Sequence, residues 1–451
     1  MVQLPTFQLP KYIVAHVGKA KHVLAGSATP YLSIEDLIAL SSDPDTTAKA
    51  LDVRSLKLGG DMQRGSFAVR SAIARLYGSP STEYESDDQK DNTKGSGSTS
   101  ISISISPEHV MTAIGTTGAN LTVFQALLDV GDHVICMYPT YGQLLGVPRG
   151  FIPCEVSGWR MDPQRGWSLD LDELRRLIRP GSTKMLVLNN PSNPTGTHMD
   201  ADVQRQILDI AREHDLIVLA DEIFRPLFHQ APSQEPGLGG GRGGSGDGAG
   251  AKIVPPVLPP PSFVEHNYSK VVVTGSMSKA YGLTGVRVGF LVCRDEALLE
   301  RFINARYYTF ASASAIDEVI ATEALSERCR PAILKRHLGY ARKNLQLLEA
   351  FVERNGDMLS WTKPTAGATA FIKLSWNGEA IDDVEFCQAV LEEQGLLLSP
   401  GSLCFGEVPG EEGKMDLQGY VRCHFTLPPE KMVEGLEAWD GFMRKRRAAL
   451  S

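Results

Sequence analysis

A single lysine stands in the run GSMSKAYGLTGVRVGF, Gly275 to Phe290. Lys279 has Ser276, Ser278, Gly282 and Gly285 for neighbours, and Arg287 follows eight residues on. A solvated lysine is an ammonium ion with a pKa of about 10.4. It becomes a nucleophile when it is desolvated or set beside other cations. Small neighbours allow close backbone approach, and Arg287 adds positive charge. The chemistry this pattern suits is a Schiff base between the lysine amine and an aldehyde cofactor. Ser/Gly/Lys also occur together in plain loops, so the run needs partners elsewhere in the chain.

Three other stretches offer them. Asp221 closes LIVLAD. A buried carboxylate there keeps a pyridine nitrogen protonated and makes the ring a store for carbanion electrons, although a strand-end aspartate also caps turns. Asn193 lies in NNPSNPTG, Asn189 to Gly196. Its two Asn-Pro steps impose extended and turn geometry that can present the Asn193 amide to a phenolic oxygen. Gly115, Thr116 and Thr117 open GTTGANLTVFQALLDVGD. Free N–H groups and hydroxyls at a helix N-terminus suit a phosphate, and simple threonine capping competes with that reading.

These residues need elements to hold them. The apolar runs HVICMY, KMLVLNN, LIVLAD, KVVVTGS and VGFLVC read as strands, and ANLTVFQALLD, LDELRRLI and DADVQRQILDIAREH as helices. Alternation of the two argues for an α/β fold with a largely parallel sheet covered on both faces. Tyr138, Asn193, Asp221 and Lys279 each follow or close such a run. Ligands collect outside the carboxyl ends of strands in open α/β sheets. The C-terminal part, with ATAFIKLS, FCQAVLEEQGLLLSP, GYVRCHFTL and EKMVEGLEAWDGFMRKR, reads as a smaller α+β unit.

Composition narrows the function classes. The 451 residues carry 45 basic and 53 acidic side chains, a net charge of −8 that argues against a general nucleic-acid binder. Length alone allows about three domains. Seven cysteines without a C-x-x-C pair point to buried thiols in a reducing compartment, with neither a disulfide framework nor a metal site expected. No run of about 18 apolar residues or secretory leader is visible, so a cytoplasmic protein off the membrane is the expectation. Two polar, low-complexity stretches, about 84–106 and 231–261, read as inserted surface loops.

SMSKAYGLTGVRVG together with NNPSNPTG, ADEIF and YVRCHF resembles the class I/II aminotransferase family of fold-type-I pyridoxal 5′-phosphate enzymes. The resemblance runs from about Gly65 to Phe442, and VRSAIARLY is similar to the family's early helix. It implies a large cofactor-binding domain over 50–310 and a small domain made of 1–49 and 311–451. It also implies a homodimer with its site at the subunit interface. Lys279 is then the residue of the internal aldimine and the proton carrier. Asp221 pairs with the pyridinium nitrogen, Asn193 meets the ring hydroxyl, and Tyr138 lies against the ring face. Thr116, Thr117, Ser276 and Arg287 hold the phosphate. Arg422 grips the substrate α-carboxylate as a planar fork.

Two positions depart from the family pattern. Phe224 stands where the family usually has a tyrosine that donates to the phenolic oxygen, so the aldimine pKa should rise and the bound cofactor should be protonated and yellow near neutral pH. Gly59 and Gly60 stand near the place of a tyrosine that reaches the partner's phosphate. The same lysine, aspartate and arginine serve several reactions at Cα. The leading expectation is an aminotransferase acting on an α-amino acid. The alternative is a C–S lyase acting on an amino-acid conjugate in a fungal sulfur-containing secondary-metabolite pathway. A cofactor-free binding protein on the same fold is the remaining class.

Overall fold

A computed structural model describes residues 4–60, 64–78, 104–229, 259–411 and 413–450. The two expected surface insertions fall for the most part, at 84–103 and 231–258, outside the described residues.

The strands of the large sheet are β1 (Val110–Ile114), β2 (His133–Tyr138), β3 (Glu155–Asp162), β4 (Ser168–Leu169), β5 (Thr183–Asn189), β6 (Ile217–Asp221), β7 (Val271–Ser276) and β8 (Val288–Cys293). They lie in the order β1-β8-β7-β6-β5-β2-β3-β4. The run from β7 to β3 is parallel throughout. Every residue of β2, β7 and β8 is buried, which is why these strands read as unbroken apolar runs rather than as alternations.

The sheet is largely parallel, as expected, and its antiparallel pairs lie at the flanks. β8 is antiparallel to both β7 and β1, and β4 is antiparallel to β3. The link from Ser276 to Val288 is too short to carry a helical crossover, so the chain returns antiparallel. That return holds the Lys279 run at the carboxyl end of β7. Register then aligns the site: Asn189 of β5 sits opposite Asp221 of β6, and Asp221 opposite Thr274 of β7.

Helix α1 spans Gln8–His16, α2 spans Gly115–Leu127 directly after β1, and α3 spans Gly142–Gly150. α2 packs against β1, β7 and β8. Helix α4, Ala201–Glu213, shows why the sequence reads as amphipathic: Ile207, Leu208, Ile210 and Ala211 are buried while charged residues face out. The Asp200 carboxylate caps it by accepting from the Asp202 and Val203 amides.

The smaller sheet consists of β9 (Leu359–Trp361), β10 (Thr369–Trp376), β11 (Glu379–Ala380), β12 (Ser399–Pro400) and β13 (Tyr420–His424). Its path is β9-β10-β13-β12, with β11 paired to β10, all antiparallel. Helices α5 (Arg330–Arg354), α6 (Asp383–Gln394) and α7 (Pro429–Leu450) accompany it, with α7 packed on α5 and α6. The N-terminal segment joins this region: His22–Val23 pairs with Leu396–Leu397, and α1 packs on the short helix Gly401–Phe405.

Candidate active site

A cavity of about 190 Å³ opens at the carboxyl ends of β5, β6 and β7. Lys279, Asp221, Asn193, Thr116, Thr117, Ser276, Arg287 and Arg422 all line it. The last of these comes from β13 of the smaller sheet, so the cavity spans both sheets.

Lys279 is buried. Its Nζ donates to Ser27 Oγ at 2.9 Å. Burial lowers the amine pKa to about 8, and the nearby cations Arg422 and Arg287 push the same way, against the attraction of Asp221. A lysine in this condition loses its proton far more readily than one in water. Asp221 is shifted oppositely. Burial raises its carboxyl pKa to about 6, against hydrogen bonds that favour the anion. Those bonds come from Asn120 Nδ2 at 2.9 Å and the Ile223 amide at 3.1 Å. Asn120 is fixed in turn by Thr274, whose hydroxyl donates to Asn120 Oδ1 at 2.7 Å. The carboxylate is thus held in one orientation from both the α2 and the β7 side.

The anion-binding end is built around Gly115. Its φ of +66° is the left-handed conformation that glycine adopts without strain. A Cβ at Gly115 would come within 2.5 Å of Arg287 Nη2, so the missing side chain leaves room for the guanidinium. Arg287 Nη1 donates to the Thr284 carbonyl at 2.9 Å. Thr116 Oγ1 is buried with no partner among the described groups. Amides at the start of α2, this hydroxyl, Ser276 and Ser278 therefore face the cavity beside a fixed cation, which is the donor set a phosphate needs.

Arg422 is almost fully buried (1 % exposed) and its pKa falls only to about 10, so it is a cation at neutral pH. Nη1 donates to Asn193 Oδ1 at 3.0 Å, and Nη2 donates to the Ala25 and Gly26 carbonyls. Nε has no partner among the described groups. The Asn193 backbone N–H donates to Asn189 Oδ1 at 2.8 Å, which fixes the main chain there.

Tyr138 is a correction. It closes β2, but its ring lies 5.5 Å from the Arg160 guanidinium carbon and lines a different cavity with Asp416 and Tyr420. The tyrosine that lines the first cavity is Tyr141, and Phe224 lines it too. Tyr138 pairs with Arg160 in the register of β2 with β3, which commits its side chain to that side of the sheet. Pro139 and Thr140 then turn the chain, and the next aromatic residue reaches the site. Phe7 of the N-terminal segment packs edge-on against Tyr141, with ring centroids 5.1 Å apart.

Asn120, Gln143, Ser27 and Ser278 also line the cavity without having been singled out in the sequence. Asn120 carries a usable signal: it lies one helical turn beyond Thr116 on the same face of α2. Ser27 carries none, since it lies 252 residues from Lys279. Phe224 lines the cavity beside Asp221 and Ile223, buried to 2 % exposure.

The model of the family described as aminotransferase class I and II matches residues 42–438. The chain belongs to that family. Among curated relatives, a capreomycidine synthase from Streptomyces vinaceus is 27% identical over 333 residues, 74% of each chain. A probable aspartate/prephenate aminotransferase from Thermus aquaticus is 28% identical over 339 residues, 74% of this chain and 76% of that one. The crystal structure of a pyridoxal-phosphate-dependent aminotransferase from Streptococcus suis superposes with a TM-score of 0.77 at 30% identity, covering 98% of both chains. The fold is therefore that of the fold-type-I aminotransferases, the protein is a transaminase, and its cofactor is pyridoxal phosphate. The cavity suits that cofactor: an activated amine, a buried carboxylate and a donor-rich anion cradle converge on it. Among the described residues, no helix of this aminotransferase is long and apolar enough to cross a membrane.

Proposed function

We propose that the protein transfers the amino group of an α-amino acid, with Lys279 as cofactor-binding residue and proton carrier and Arg422 as carboxylate anchor. The observation that carries this reading is that Lys279, Asp221 and Arg422 face one cavity from three separate parts of the chain. Pyridoxal phosphate, when bound, supplies an aldehyde for amines and a ring that accepts the electrons left when a Cα proton departs.

The side chains around it have distinct work. Arg422 offers a buried guanidinium fork to a carboxylate, and the Asn193 contact aims it. The lowered pKa of Lys279 lets its amine both take and return a proton near neutral pH. Asp221, held by Asn120, keeps a negative charge at the sheet edge for a pyridinium nitrogen. Arg287, with Thr116, Thr117, Ser276 and Ser278, provides the phosphate donors. Tyr141 supplies the ring face that Tyr138 does not. No feature of the wall selects a sulfur-bearing leaving group, so C–S cleavage is not favoured. The same reading carries a homodimer in the cytosol; light scattering of the loaded protein tests the first part.

The deciding experiment supplies the loaded enzyme with a panel of α-amino acids in the absence of an acceptor keto acid. Transfer yields about one keto acid per site and then stops until an acceptor is added. Continuous release of ammonia and a thiol from cysteine conjugates, without amino transfer, would overturn the reading. Lys279→Ala should show no turnover.

A further inference from the structure

A second cavity, of about 290 Å³, adjoins the first. Thr117 and Gln143 belong to the walls of both, and Gln143 Nε2 donates to the Thr117 carbonyl at 2.8 Å. Phe405 lines the second cavity, and its ring centroid lies 5.3 Å from the Arg422 guanidinium carbon. Phe7 lines it too, and the same ring packs against Tyr141 of the cofactor cavity. The two cavities therefore share Thr117 and Gln143 as wall residues, and Phe405 and Phe7 of the second touch Arg422 and Tyr141 of the first. Leu121, Leu145 and Phe151 make the second wall apolar. Arg149 and Glu407 are the charged residues among the described lining, and they pair with each other at 2.7 Å.

We infer that this cavity receives the side chain of the substrate, and that the substrate is an α-amino acid with a bulky apolar side chain, aliphatic or aromatic. The inference rests on the reading of Arg422 and Lys279 as the carboxylate anchor and the cofactor lysine. A carboxylate held at Arg422 sets the substrate beside Phe405, where the apolar wall begins. A leucine- or phenylalanine-sized group entering there loses water against aliphatic and aromatic surface. A distal carboxylate or ammonium group would gain no free counter-charge from the described lining, because Arg149 and Glu407 already pair with each other.

Gly146 of α3 allows a test that leaves the core alone. It lines the cavity, and a Cβ built there meets only Pro5 Cγ, at 3.5 Å. A larger side chain at this position extends into the cavity. For the loaded wild-type enzyme, kcat/KM for leucine, methionine and phenylalanine should exceed that for aspartate, glutamate and lysine by about tenfold or more. Gly146→Leu should lower kcat/KM for phenylalanine by about tenfold, leave alanine within about twofold, and keep the thermal midpoint. In parallel, 3-phenylpropanoate and glutarate are titrated against the cofactor's visible band. The former should bind more tightly, and Gly146→Leu should weaken only that ligand. A preference for acidic or basic donors, or an equal loss with alanine and phenylalanine in Gly146→Leu, overturns the inference while transamination stands. Absence of turnover with every donor, together with selective 3-phenylpropanoate binding that Gly146→Leu removes, overturns transamination while the cavity assignment stands.

Discussion

Lys279 Nζ donates to Ser27 Oγ at 2.9 Å, across 252 residues of chain. The contact is one of several that bind the segment Leu24–Thr29 over the site. Thr29 Oγ1 donates to the Lys279 carbonyl at 2.8 Å, and Arg422 Nη2 donates to the Ala25 carbonyl. Ser27 is thus carried on a strap anchored by Lys279 and Arg422. A hydrogen bond to an ionisable group contributes about 1.5–3 kcal/mol. Ser27→Ala should therefore lower kcat by roughly tenfold, while cofactor loading, read from the visible spectrum, is retained. An unchanged single-turnover rate would remove Ser27 from any role in aiming the amine.

The buried amine also links stability to pH. Lys279 has a folded pKa of about 8 against an ordinary value of 10.5, so between these values the unfolded chain binds more protons. Stability of the cofactor-free protein then rises with pH through that window from this group, and the cost of burying the charge is fully present below about pH 8. Lys279→Met removes that cost. It should stabilise the cofactor-free protein at pH 7 by up to about 3 kcal/mol, with the gain fading toward pH 10.5. Denaturant unfolding of both proteins at pH 7 and pH 10 measures it; a gain independent of pH contradicts the assignment.

Asp221 shows the reverse sign. Its folded pKa of about 6 lies above the ordinary 3.8, so the folded cavity takes up a proton first as pH falls. A cationic ring nitrogen beside it favours the carboxylate and moves that titration lower. Cofactor affinity should hold at neutral pH and weaken only below about pH 6. Asp221→Asn keeps the size but removes the charge, and should lower kcat/KM by about 100-fold or more. Equilibrium dialysis of the cofactor across pH 5 to 8, with kinetics of the variant, checks both statements.

Phe224 lines the cavity beside Asp221, and in the proposed cofactor placement it brings no tyrosine donor to the phenolic oxygen. The visible band of the loaded enzyme should stay in its protonated, yellow form through neutral pH. Phe224→Tyr should shift the band's titration to lower pH by about one unit, since a hydroxyl donor favours the deprotonated form. Spectra collected across pH for both proteins decide it, and clear deprotonation of the wild-type band below neutrality contradicts it.

The chemistry of the site was legible in short runs. Lys279, Asp221 and the threonines after Gly115 sit at strand ends or helix starts, and such places are visible as breaks in hydrophobic pattern. Among the strands not visible in the sequence, two belong to the large sheet's longer members. Val110–Ile114 follows closely on a polar low-complexity stretch and runs without a break into a helix, and Glu155–Asp162 mixes buried with partly exposed positions, so its pattern is blurred. The antiparallel return of β8 was hidden for another reason: apolar strands look alike whichever way they run.

Local order along the chain thus determined the fold class, and it picked out Lys279 and most of the charged groups that line the cavity with it. Only the tertiary structure decided between Tyr138 and Tyr141, because strand pairing turns the first toward Arg160 and the turn at Pro139 carries the second over the cavity. It alone brought Ser27 to Lys279 and Phe405 beneath Arg422. Strand ends follow from neighbours a few residues away, whereas these contacts follow from how the N-terminal segment and the smaller sheet pack back onto the large one.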